Sequence, residues 1–254
     1  MSAPYISIKV MYGVDFYMEK KNHLQMRCLR GAAAMMLLSF ILILLIWQSR
    51  RGEQTTLNQA AQGSKEVIVI DPGHGGFDPG KVGTRDTLEK DINLAIAKKV
   101  EKKLADSGYI THMTRTEDVA LCDGNESSKK LTDMKRRVAL IEEKKPVLAV
   151  SIHQNSFSAG TKGAQVFYHT SSEEGKKLAG ILQTTIRDAV GDDNHRVEKA
   201  NDSYYMLRKV TCPLVIVECG FLSNPDEEAL LCDENYQEKM AEGICEGIEN
   251  FLYK

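Results

Sequence analysis

The chain has 254 residues, 43% hydrophobic and 27% charged, as in an ordinary globular protein. A net charge of -2 provides no clustered basic surface for phosphate, so no nucleic-acid partner is expected. Six cysteines without a C-x-x-C pair exclude a zinc-thiolate site of recognised spacing.

The first feature in chain order is GAAAMMLLSFILILLIW, residues 31–47, uncharged throughout. As a helix it would span roughly 26 Å, at the short end for a bilayer core of about 30 Å. Lys9, Lys20, Lys21, Arg27 and Arg30 precede it, and Arg50 and Arg51 follow. The positive-inside bias predicts residues 1–30 in the cytoplasm, 31–47 as an uncleaved transmembrane signal anchor, and the rest on the extracytoplasmic side of the cell membrane. A cleaved signal peptide and a buried core helix are the alternatives. Cys28 then lies inside. The remaining cysteines, Cys122, Cys212, Cys219, Cys232 and Cys245, are odd in number, which suits a disulfide framework poorly. Cys212, Cys219 and Cys245 are expected to act as small buried hydrophobes. Residues 48–65 are polar and form a linker to one domain, 66–254.

Within that domain apolar runs alternate with helical patterns. VIVI at 67–70 is a buried-strand signal. Thr87 is placed to cap a helix with Leu88, Ile92, Ala95, Ile96, Val100 and Leu104 on one face, ended by Ser107-Gly108. YITHMT at 109–114 is a second strand, residues 115–130 a polar loop, and Leu131–Glu143 a helix. VLAVSI at 147–152 is an uninterrupted apolar strand expected at the centre of a sheet. GAQVFYH at 163–169 is a fourth strand, Glu173–Val190 a helix, and PLVIVEC at 213–219 another apolar strand. Helices at about 225–232 and 235–253 close the chain. This alternation predicts an α/β fold: one three-layer sandwich with a mainly parallel sheet flanked by helices.

In such folds the loops after parallel strands converge on one sheet edge. His74 follows VIVI, Glu89 sits in the first turn of the next helix, His153 follows VLAVSI, and Glu218 ends PLVIV. Only the fold could bring them together. Two imidazoles and a carboxylate are a standard ligand set for catalytic zinc, with a position left open for water. A helix N-terminus favours the ionised Glu89 that a ligand requires. Glu218 is placed to move the water's proton to a leaving nitrogen. Each residue also has a plainer reading. Taken singly, His74 reads as the occupant of a glycine turn, Glu89 as a complement to a helix dipole, and His153 as the end of a strand. Glu218 is more telling, because a carboxylate after four apolar residues is costly to bury unpaired. DPGHGG is neither G-x-G-x-x-G nor a G-K-[ST] loop, which argues against a phosphate cradle. His112 and His169 fall in strands and are expected to be structural.

Four stretches carry a family resemblance: DPGHGG at 71–76, LEKD at 88–91, SIHQNS at 151–156 and VECGFLSNPDE at 217–227. With TR at 114–115, RR-V-x-LI at 136–141 and GAQVFY at 163–168, they resemble the zinc-dependent N-acetylmuramoyl-L-alanine amidases of the type-3 catalytic family. The resemblance covers the whole domain and is nearest the germination-specific amidases of spore-forming bacteria. It implies one zinc ion held by His74, Glu89 and His153, with Glu218 as catalytic acid/base. It implies peptidoglycan as substrate, cut between N-acetylmuramic acid and L-alanine, and a role in forming muramic-δ-lactam in spore cortex. A wall-facing active site on a membrane tether suits that substrate, and control by a separate activating protein is compatible with it. Because the stem peptide carries carboxylates, Arg208 and Lys199 are candidate substrate-binding residues, as is Asn155. Asn155 and Asn224 are also expected to order loops through side-chain-to-backbone hydrogen bonds. Rival readings are another zinc peptidoglycan peptidase or carboxypeptidase, and a non-catalytic wall-binding protein.

Overall fold

The computed structural model describes residues 66–122, 128–191 and 194–253. The expected anchor at 31–47 and linker at 48–65 lie outside the described residues. Among those described, no helix is long and apolar enough to cross a membrane.

Among the described residues six strands form one sheet: β1 (Val67–Pro72), β2 (Ile110–Met113), β3 (Leu148–Asn155), β4 (Gln165–Tyr168), β5 (Lys199–Ala200) and β6 (Leu214–Phe221). Their order is β2-β1-β3-β6-β4-β5. All neighbours pair in parallel except β4 and β6, which are antiparallel. The helices are α1 (Glu89–Asp106), α2 (Lys129–Lys144), α3 (Glu173–Val190), α4 (Tyr205–Lys209), α5 (Pro225–Leu231) and α6 (Glu234–Leu252).

Strands β1, β3 and β6 read as unbroken apolar runs because helices cover both faces of the sheet. On one face Ile68, Ile70, Val150, Ile152, Val215 and Val217 pack with Ile92 and Ile96 of α1, Leu182 of α3 and Ile244 of α6. On the other, Val69, Ala149, Phe167 and Ile216 pack with Ile141 of α2 and Met206 and Leu207 of α4. This is the expected three-layer arrangement, with β3 interior to the sheet.

Three details differ from expectation. Thr87 does not cap α1; Leu88 holds the cap position and makes no side-chain cap bond. The loop after β1 folds back instead, so that Lys81 O accepts from Glu89 N (2.9 Å) and Pro79 O from Lys90 N (3.1 Å). Those carbonyls satisfy helix donors that a capping hydroxyl would otherwise take. The two-residue β5 and five-residue α4 were not expected, since neither is long enough to show a hydrophobic period. Cys219 and Cys245 are buried free thiols, while Cys212 is only partly covered.

A buried charge cluster ties the layers together at the carboxyl end of β1. Asp71, 1% exposed, accepts from Arg137 Nη1 (2.7 Å), Thr114 Oγ1 (2.6 Å) and Ser151 Oγ (2.6 Å). Burial pushes its carboxyl up, but Arg137 and the two hydroxyls outweigh that and bring it down to about 2. A depressed folded value contributes stability above the unfolded value of about 3.9 and loses it as pH falls toward the folded one. Asp71→Asn is therefore expected to lower the unfolding free energy by about 2–3 kcal/mol near neutral pH, since it removes one of the two carboxylates paired with the buried Arg137 guanidinium. The deficit should narrow as pH falls from about 4 toward about 2. Urea denaturation across that range checks this; a gap that stays constant would contradict it.

Candidate metal centre

The loop after β1 is built by arginines. Arg137 Nη1 donates to Pro72 O (2.8 Å), and Nη2 donates to His74 O. Arg115 donates from Nε to Pro72 O (3.0 Å), and from Nη2 to Gly73 O (2.9 Å) and Lys90 O (2.8 Å). Three successive carbonyls are thus gripped by two buried guanidinium groups. Held this way, His74 adopts φ 61°, a left-handed conformation uncommon outside glycine. Gly73 permits the next contact: a Cβ there would lie 2.2 Å from Cε1 of His153.

His74 is oriented from behind. Its Nδ1 lies 3.0 Å from Asp78 Oδ2, which turns Nε2 toward Glu89 Oε1 at 3.2 Å. Asp78 in turn meets Lys130 Nζ at 2.9 Å. A carboxylate behind a histidine fixes ring orientation in metal sites.

Glu89 opens α1 and is 2% exposed. Its Oε1 lies 3.0 Å from His153 Nδ1 and accepts from Gln154 N (3.1 Å) and Asn93 Nδ2 (3.3 Å). Its Oε2 accepts from Lys81 N (2.8 Å). Burial would raise this carboxyl, but hydrogen bonds from His153 and His74 hold it well below the usual carboxylate range. Donor atoms of His74, Glu89 and His153 all lie within 4.8 Å of one another, close enough to share a metal ion. Tetrahedral bonds of about 2.05 Å would separate neighbouring donors by about 3.3 Å, near the distances found.

Glu218 stands opposite His153 in the β3–β6 register. Tyr204 donates its hydroxyl to Oε1 (3.3 Å). Oε2 is buried and has no hydrogen-bond partner among the described residues. Burial pushes this carboxyl up to about 7, with His153 opposing and Glu89 adding to the rise. The site therefore holds two carboxylates driven in opposite directions, one a fixed anion and one poised to exchange a proton.

The other candidates are dispersed. Arg208 is exposed on α4 and lines a cavity with His169, Ser172 and Leu214, at the end of β6 opposite Glu218. Lys199 is exposed on β5, paired with Phe167. Asn155 ends β3, and its Oδ1 accepts from Ser156 N (2.8 Å). Asn224 caps α5 by accepting from Asp226 N and Glu227 N. Sequence reasoning missed Asp78, Tyr204, Asn93 and the roles of Arg115 and Arg137. Asp78 had a visible signal, four residues beyond His74. Arg115 and Arg137 were noticed only as pattern matches, and Tyr204 had no signal.

Two histidines and a glutamate that could hold a metal ion stand at the carboxyl edge of a mainly parallel sheet with a second carboxylate alongside, an arrangement suited to hydrolysis. Residues 68–250 match the model of the N-acetylmuramoyl-L-alanine amidase family. The chain belongs to that family and is an enzyme of that amidase class. It is 37% identical to the germination-specific N-acetylmuramoyl-L-alanine amidase of Bacillus subtilis, over 74% of this chain and 81% of that one. The solved CwlD amidase of Clostridioides difficile, in complex with the GerS lipoprotein, is 38% identical with TM-score 0.72, covering 74% of this chain and 98% of that one. The catalytic domain of CwlV from Bacillus (Paenibacillus) polymyxa is 35% identical with TM-score 0.65, again over 74% and 98%.

Replacing Asp78 with Ala is expected to weaken metal binding about tenfold to a hundredfold by releasing the His74 ring. Chelator competition measures this; unchanged affinity would show that Asp78 does not orient the ligand.

Proposed function

We propose that this chain is a zinc-dependent amidase that cuts peptidoglycan between the lactyl group of N-acetylmuramic acid and L-alanine. The observation that carries the reading is the convergence of His74, Glu89 and His153 on one point, with Glu218 on the neighbouring strand. Two imidazoles and one carboxylate suit catalytic zinc, which, when bound, polarises the amide carbonyl and makes water acidic enough to attack near neutral pH.

The chain's own residues supply the rest. Asp78 turns His74 from the far side of its ring, so that this ligand needs no side-chain motion at the moment of reaction. Glu218 takes a proton from the attacking water and returns it to the alanine nitrogen as the C–N bond breaks. The products are a free lactyl carboxylate and a stem peptide with a free amino terminus. The Tyr204 hydroxyl holds Oε1 and leaves Oε2 for the proton.

Spore cortex is the proposed setting, with muramic-δ-lactam formation as the purpose, supported by likeness to the germination-specific relative. Residues 31–47 are proposed to tether the enzyme to the cell membrane, with the domain facing the wall. An activating protein partner is proposed by analogy with the amidase solved alongside a lipoprotein.

Purified cortex and vegetative peptidoglycan, digested side by side with and without zinc, test the reading. Free stem peptides beginning with L-alanine, made only with zinc, are expected. Release of a terminal amino acid would instead indicate a carboxypeptidase. Glu218→Gln should keep the fold and bound zinc yet lose at least about a hundredfold in rate. Undiminished hydrolysis by that variant would remove Glu218 from the mechanism.

A further inference from the structure

The sheet places three side chains in one row. His153 on β3 stands opposite Glu218 on β6, and Glu218 stands opposite Gln165 on β4. Residues directly opposite one another project from the same face. Strands are spaced about 4.8 Å apart, so the row runs about 10 Å from His153 to Gln165.

Arg196 extends the row. Its Nη1 donates to Gln165 Oε1 (3.1 Å), and its Nε donates to Lys162 O (2.7 Å). The guanidinium lies 4.7 Å from the centroid of the Phe221 ring. Gln165 is itself held, donating from Nε2 to Val197 O (3.0 Å). Arg196 is thus immobilised by two hydrogen bonds and an aromatic face. Yet among the described residues no Asp or Glu pairs with it, and its Nη2 makes no hydrogen bond. Other ordered arginines here are spent on the protein: Arg115 on backbone carbonyls, and Arg137 on Asp71 and Asp133. A fixed guanidinium with an open end and no counter-ion is preorganised for a carboxylate.

Resting on the amidase reading above, we infer that Arg196 binds a free carboxylate of the stem peptide and sets a preference for peptides that retain it. The muramic acid side offers no such group, because its one carboxyl is consumed in the scissile amide. The carboxylate must therefore come from the peptide side. An extended chain advances about 3.4 Å per residue, so a row of about 10 Å reaches a group within the first three residues.

Two synthetic substrates test this with the full chain in detergent and zinc. Both are N-acetylmuramoyl-L-alanyl-D-glutamate joined through the glutamate side-chain carboxyl to lysine amide. They differ only in whether the glutamate main-chain carboxyl is free or amidated. The wild type is expected to favour the free carboxylate by at least about tenfold in kcat/KM, expressed mainly in KM. Arg196→Met should bring that ratio close to one, and Arg196→Lys should restore part of it. A wild type without preference would overturn the inference, as would an Arg196→Met variant that keeps the preference or slows both substrates equally. If the wild type cut neither substrate, the amidase reading itself would fail and the inference with it.

Discussion

The site depends on the buried ion pair between Asp71 and Arg137. Asp71, near the carboxyl end of β1, draws together Thr114 after β2, Ser151 of β3 and Arg137 of α2. Arg137 passes the constraint on to Pro72 and His74, while Arg115 fixes Pro72, Gly73 and the first turn of α1. Burying such charges costs several kcal/mol per ion, and a well-packed apolar cluster would often stabilise the fold as well. What an apolar cluster would lack is a set of directed donors for three consecutive carbonyls. Those donors hold His74 in a left-handed conformation against its local preference. The pair thus exchanges bulk stability for a set loop geometry.

Glu89 and Glu218 show how position divides labour between identical side chains. Glu89 lies between two imidazoles and two backbone amides, and burial loses to that company. Glu218 is as deeply placed but has one neutral hydroxyl as its donor, so burial wins. A carboxyl held ionised and one pushed toward its protonated form then stand within one cluster, which suits the proposed hydrolysis near neutral pH better than two ordinary carboxylates would.

Much of this was legible in the amino-acid sequence. Strands β1, β3 and β6 announced themselves as apolar runs, and the strand ends marked His74, His153 and Glu218. Three kinds of feature were not legible. Short elements such as β5 and α4 carry no period, so Tyr204 was hidden with them. The start of α1 was misassigned to Thr87 because nothing local shows a distant loop supplying carbonyl acceptors. The arginines were the hardest to read. Arg137 acts on residues more than sixty positions away, and nothing near it separates a buried organiser from a solvated charge. Nor does anything local show that β4, pairing antiparallel with β6, puts Gln165 opposite Glu218 and gives Arg196 its hydrogen bond to Gln165.

The arginine-held loop is expected to present His74 to a metal shared with Glu89 and His153. Anomalous diffraction at the zinc edge from crystals of the zinc-loaded protein tests it most directly. One strong peak is expected, bonded at about 2.1 Å to His74 Nε2, His153 Nδ1 and a Glu89 carboxylate oxygen. A peak bound elsewhere, or none at that sheet edge, would contradict it.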